Sequence, residues 1–281
     1  MNPTSATHDH SPSQAVSDEL KKLGLAPQRL GQAQALCQVF LARLGSGDSA
    51  MHTPTQWAVI IASLLDFMQH RAGAQPLVRV LNPKEAHGGR SLLQIVTDDM
   101  PFLVDTVSMV VGRQLRIHTV IHPVVRVARD NAGALTGLTT GTDADVAGAL
   151  ESIMHFEIDR VSDADQAALK DAVEAALEDV REAVQDWAAM RDKALAIADD
   201  LPQRKLPLEV TAVAEASEFL RWLSADNFTF LGYREYAVAQ TDGERVLSAV
   251  PSSGLGILRN SARTMVPRSL QSLVATDLPQ S

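Results

Sequence analysis

Between Ser91 and Val111 the apolar positions of this chain change period. In SLLQIVTDDMPFLVDTVSMVV, Leu92, Leu93, Ile95 and Val96 form a run too short for a helix and suited to a buried strand. Leu103, Val107 and Val110 then recur at helical spacing, so the stretch predicts strand, tight turn and helix. Asp98 and Asp99 sit at the changeover, where either carboxylate can cap the first turn, and Pro101 suits the first helical position. A turn at the positive end of a helix can also hold a zwitterion. Its N–H groups take the carboxylate, and an Asp side chain takes the ammonium. On residue chemistry alone, capping is the simpler reading.

The rest of the chain arranges itself around that stretch. Residues 1–17 are rich in Ser, Thr, His and Pro and read as a disordered tail. Leu20 and Leu23, then Leu36, Val39, Phe40 and Leu44, predict two short helices broken around Gly24 to Gly31. Thr53, Pro54 and Gln56 form a capping-box pattern ahead of a third helix through Trp57, Ile60, Ile61, Leu64, Leu65 and Met68. PLVRVLNP alternates as a short strand, and Arg116 to Arg129 is a β-rich stretch that Pro123 interrupts. DNAGALTGLTTGTDADVAG reads as a loop, and Glu151 to Val161 as a half-buried strand. Ser162 to Asp200 predicts one long helix with a buried stripe of Val173, Leu177, Val180, Val184 and Trp187.

LPQRKLPLE marks a boundary. Beyond it come a helix over Ala212 to Leu223, an aromatic strand over Phe228 to Val238 and a hairpin partner over Arg245 to Val250. The expected organisation is a tail to residue 17, a helical region over 18–74, a sheet-bearing domain over 75–200, a linker over 201–207 and the start of a second α+β unit over 208–281.

Composition narrows the function classes. The 281 residues carry a formal charge of -9 and no dense Lys/Arg run, which argues against nucleic acid and anionic membranes as partners. The lone Cys37 forbids an internal disulfide and falls in an apolar helical pattern, as a structural thiol would. Without a signal core or a bilayer-length apolar run, a soluble cytoplasmic protein is expected.

Candidate chemistry is sparse. The glycines of PSSGLGILRN do not form a dinucleotide fingerprint, and no P-loop or nucleophile elbow is present. His118 and His122 resemble a metal pair, but four residues along a strand separate them by roughly 13 Å. His155 and Glu157 on the next strand would each offer one further ligand. Lone imidazoles on half-buried strands more often find hydrogen-bond partners, so no metal is expected. Trp57, Trp187 and Trp222 read as packing residues.

TDDMPFLVDTV, VIHPVVRV, ESIMHFEI, FLRWLSADNFTFLGYREY and GLGILR together resemble the N-terminal part of the large bacterial NAD-dependent glutamate dehydrogenases, from about Val59 to about Arg259. The resemblance implies an α+β fold with an ACT-like (ferredoxin-like βαββαβ) sheet, flanking helices and a second partial α+β unit. It implies a regulatory or assembly segment whose catalytic residues and NAD site lie elsewhere in a longer protein. It further implies a homo-oligomer and an amino-acid effector contacting the turn from first strand to first helix. By match, Asp98, Asp99, Met100, Pro101 and Phe102 take the effector-binding positions. Phe102 departs from the family pattern, which often has Gly after the Pro. The competing reading is a standalone ACT-like amino-acid-binding or dimerisation protein, which a stop codon directly after Ser281 would favour.

Overall fold

The computed structural model describes residues 12–44, 51–83, 89–140, 147–241 and 244–260. The chain divides into two compact units, residues 1–177 and 178–281.

The first unit opens with three helices, α1 (Pro12–Lys22), α2 (Pro27–Leu41) and α3 (Pro54–Phe67). Pro27 starts α2 four residues earlier than the expected break allowed, and Gly31 is carried inside the helix. α1 also reaches back into the stretch expected to be a tail, because Val16 has a core to enter and is 1% exposed. The capping box before α3 is present as read: the Thr53 hydroxyl accepts from the Gln56 N–H, and the Gln56 side chain accepts from the Thr53 N–H.

Six antiparallel strands follow, interrupted by one helix: β1 (Leu77–Leu81), β2 (Ser91–Asp98), α4 (Leu103–Gly112), β3 (Ile117–Ile121), β4 (Val124–Arg129), β5 (Leu135–Thr139) and β6 (Ala149–Ile158). The sheet order is β1-β2-β6-β4-β5. β3 and β4 lie in succession along the same edge of β6, with β4 opposite its first half and β3 opposite its second. Pro123 breaks them apart, since it has no N–H for a ladder, yet its carbonyl still accepts from the Ile153 N–H at 2.9 Å. β5 lies inside the Gly/Thr stretch expected to be a loop and pairs with β4. Its five residues LTGLT contain too little apolar alternation to announce a strand.

The resulting order β2-α4-β3/β4-β6-α5 supplies the first five parts of an ACT-like βαββαβ arrangement, where α5 is Gln166–Asp200. In that topology a final strand pairs with the outer edge of the first. Here β1 occupies that edge, antiparallel to β2 with Leu77 opposite Val96. The closing position is therefore filled by chain that precedes the first strand.

Both faces of the sheet are covered, which is why β2 and β6 are buried along almost their whole length. Val96, Ile121, Val125, Val127 and Ile153 join Leu36, Phe40, Ile61 and Leu64 in one core with the helical layer. By alternation, Leu93, Ile95, Met154, Phe156 and Ile158 face the other way, towards the side that the buried residues Leu103, Val107 and Val111 of α4 complete.

The second unit holds the rest of α5, α6 (Val210–Trp222), a wide turn over Leu223–Asn227 and four short strands. The expected aromatic strand is split into β7 (Gly232–Tyr233) and β8 (Tyr236–Thr241), and β9 (Glu244–Ala249) pairs with β8 as expected. β10 (Leu255–Gly256) pairs with β7, so the GLGILR and FLGYREY strings meet in the fold. Gly256 has φ 57° and lies so near the Leu231 carbonyl that a Cβ there would come within 2.2 Å of its oxygen. Its N–H donates to Asp186 Oδ2 at 2.8 Å, and Arg259 pairs with the same carboxylate. These glycines serve a close backbone approach.

The long helix is shorter at its start than expected, and its stripe differs. Val173, Leu177 and Val180 are buried, as are Ala183, Met190, Ala194 and Ala198, whereas Val184 and Trp187 are only half-buried. Trp187 instead stacks under the Arg191 guanidinium, 4.8 Å from its ring centre.

Candidate functional site at the turn between β2 and α4

The turn places its residues differently from a cap. β2 runs through Asp98, residues 99–102 make the turn, and Phe102 is the residue flanking α4, with no side chain capping the helix. Neither Asp98 nor Asp99 caps α4, and Pro101 lies in the turn ahead of the helix. The reason is that both carboxylates are engaged elsewhere, one by the segment before β1 and one by β6. Asp98 Oδ1 accepts from Arg71 Nη1 at 2.8 Å. The Asp99 N–H donates to the Leu150 carbonyl at 3.1 Å, and its Oδ1 accepts from the Ser152 hydroxyl at 2.5 Å.

Ser152 has one hydroxyl proton and gives it to Asp99, so its contact with His122 Nε2 at 3.0 Å requires the imidazole to donate. Asp99, Ser152 and His122 thus form a chain in which the hydroxyl bridges the other two. That order differs from a nucleophilic triad, where the imidazole stands between hydroxyl and carboxylate. Burial lowers His122 below the usual imidazole value, with Arg43 adding to the effect and the Asp99 charge opposing it.

Phe102 adopts φ 70°, the left-handed conformation that suits glycine. It sits where the resembling family often has Gly, and its ring remains 48% exposed. The backbone demand for that position is therefore kept while the small side chain is not.

Behind the turn lies an ion cluster that the sequence reading did not assemble. Arg71, 3% exposed, reaches from Asp98 to Glu151 Oε1 at 3.0 Å, and Arg129 grips both Glu151 oxygens at 2.8 and 2.9 Å. At the far end of β6, Glu157 is held by His52, by Arg90 at 2.9 Å and, more distantly, by His155 at 3.9 Å. Burial would raise the Glu157 carboxyl, but the interactions with His155, His52 and Arg90 outweigh it and hold the group well below the usual carboxylate range.

Arg79 fixes the tautomer of His155. Its guanidinium, which can only donate, occupies Gln94 Oε1 at 2.8 Å, so the Gln94 amide N–H donates to His155 Nδ1 at 3.0 Å. The proton then sits on His155 Nε2, facing Glu157, and burial keeps the ring below the usual imidazole value. That protonated nitrogen is not available as a metal ligand. His118 pairs with Asp159 at 2.8 Å, away from His122, and among the described residues no group of three or more His, Cys, Asp or Glu is disposed to hold a metal. Cys37 is buried, its thiol raised to about 11 by burial, consistent with a structural thiol.

The signal for these clusters was present in ESIMHFEI: Glu151, His155 and Glu157 fall on one face of a strand whose other residues, Ser152 apart, are apolar. Arg71, Arg79 and Arg90 carried no such signal, since their neighbours in sequence are loops and an edge strand.

A family model described as "Glutamate dehydrogenase, ACT1 domain" matches residues 36–173. Residues 36–173 belong to the glutamate dehydrogenase ACT1 domain family. The matched range begins inside α2 and ends in α5, so the ACT1 domain includes α3, β1 and both ion clusters as well as the βαββα core. The chain is 37% identical over 205 residues to an NAD-specific glutamate dehydrogenase of Halomonas elongata, covering 70% of the chain. It is 37% identical over 180 residues to an NAD-specific glutamate dehydrogenase of Pseudomonas aeruginosa, covering 62% of the chain. The matches span 13% and 11% of those relatives' own lengths. Among the described residues, no helix is long and apolar enough to cross a membrane.

Proposed function

We propose that this chain is the N-terminal regulatory and assembly segment of an NAD-dependent glutamate dehydrogenase, which converts L-glutamate, NAD and water to 2-oxoglutarate, ammonium and NADH. The reading is carried by the ACT1 match over 36–173 together with relatives that are about eight times longer than the aligned stretch. Catalytic residues and the NAD site belong to the remainder of such a protein, in keeping with the lack of a dinucleotide fingerprint in the sequence.

Within the segment, Asp98, Asp99, Met100, Pro101 and Phe102 are the positions at which an amino-acid effector would sit. Its carboxylate would face the first N–H groups of α4. Its ammonium would compete with Arg71 for Asp98 or with Ser152 for Asp99, and the Phe102 ring would cover the backbone. Both carboxylates being engaged favours assembly over effector binding as the resting role of the turn. Two measurements test the reading. The purified chain with L-glutamate and NAD should give no NADH above blank, and light scattering should show an oligomer. Turnover that follows the protein through purification, or a monomer that binds no amino acid in calorimetry, overturns it.

A further inference from the structure

The two helices on the sheet's outer face leave a groove where the end of α4 meets the start of α5. It encloses about 390 Å³ and lies at the opposite end of α4 from the turn discussed above. Val111 and Val161, both buried, form its floor, and Val110, Leu115 and Leu169 line its walls. Arg113, just past the end of α4, and Arg160, just past the end of β6, stand at its rim.

Both arginines are solvent-exposed, as Arg43 and Arg116 of the same unit are. In a chain with 34 acidic and 25 basic residues, the buried and half-buried guanidiniums of this unit are matched to carboxylates or carbonyls. Among the described residues, no ion pair engages Arg113 or Arg160. The one carboxylate lining the groove, Asp165, is occupied locally: its Oδ2 accepts from the Ser162 hydroxyl at 2.6 Å, while its N–H donates back to that hydroxyl at 3.3 Å. Two free guanidiniums over an apolar floor match one ligand chemistry, a single planar carboxylate on a short aliphatic tail. A guanidinium fork takes carboxylate oxygens in pairs, whereas a multiply charged oxyanion would gain nothing from the valine and leucine walls.

We propose that the groove between α4 and α5 binds a small aliphatic monocarboxylate, with Arg113 and Arg160 holding the head group and the apolar walls holding the tail. The site needs no amino group on its ligand and stands apart from the turn at Asp98 to Phe102, so its failure and the failure of the regulatory reading are separable.

Calorimetric titration of the whole chain with 4-methylpentanoate tests it. Acetate supplies the head without the tail, and 4-methylpentan-1-ol the tail without the charge. The acid should bind at least about tenfold more tightly than either, and Arg113→Gln or Arg160→Gln should each weaken it by about tenfold, as the loss of a charge-assisted pair does. Ala168→Phe, on an exposed position of the groove lining, should block the tail and abolish binding without disturbing the core. No binding by wild type, equal binding of acid and acetate, or unchanged binding by the double arginine variant overturns the proposal.

Discussion

Strand β6 carries two buried glutamates on one face, six residues apart, and the fold satisfies them in different ways. Glu151, beside the turn, is clamped by Arg71 and Arg129, both permanently charged, with 2% of its side chain exposed. Glu157, at the other end, meets two imidazoles and one arginine that is 27% exposed. One end of the strand is therefore an ion cluster of fixed charge, and at the other two of the three partners are imidazoles. A carboxylate buried between two arginines cannot be removed without stranding them, whereas two imidazoles and a partly hydrated arginine leave less fixed charge stranded by the loss.

The largest expected effect follows from that contrast. Glu151→Ala takes from Arg71 and Arg129 the buried carboxylate they share and should cost about 3 to 5 kcal/mol in denaturant unfolding. Glu157→Gln keeps the shape and one acceptor and should cost about 1 to 3 kcal/mol. Equal losses at the two sites would show that the nature of the partners does not matter here.

Acid titration separates the ends further. His155 and His122 are held below the usual imidazole value, so the unfolded chain takes up those protons first. Their contribution is fully present above about pH 6.5 and declines as the pH falls below it. Glu157 is held below the usual carboxylate value, so its contribution is present above about pH 4.5 and is lost only as the pH drops further. Melting temperature measured from pH 8 to pH 3 should be flat at first, then fall in two stages, and Glu157→Gln should shrink the lower stage, to which Asp159 and Asp186 also contribute. A profile unchanged by that substitution would sink the assignment.

The smallest effect tests the turn without touching either cluster. Phe102→Gly relieves a left-handed backbone cost of about 1 to 2 kcal/mol, less the entropy that glycine gives the unfolded chain, and should stabilise by about 0.5 to 1 kcal/mol. A loss of stability instead would mean that the half-exposed ring packs more tightly than its exposure indicates.

Periodicity made the strand–turn–helix, the capping box of α3, the broken stretch at Pro123 and the α6 helix legible. Each of these is specified by neighbours in sequence. β5 escaped because LTGLT is stabilised by pairing with β4 and by core contacts of Leu135 and Leu138, neither of which is local. The stripe of α5 was half right for a related reason: Val184 and Trp187 fit the spacing, but the helix buries its small residues Ala183, Ala194 and Ala198 in their stead. At the turn, the aspartates were found and their partners were not. Ser152, Arg71 and Glu151 lie 53, 27 and 53 positions from Asp99, Asp98 and Asp98 in turn, distances at which no short-range pattern speaks.

The edge position taken by β1 bears on the order in which the domain can be built. A sheet closed by a strand from beyond α5 would wait, during synthesis, for chain still inside the ribosome. With β1 made first, every strand of this sheet has emerged once Ile158 is out, and β2 has a partner on its outer edge from the start. The exposed ladder edge that invites pairing with another nascent chain is thereby covered early.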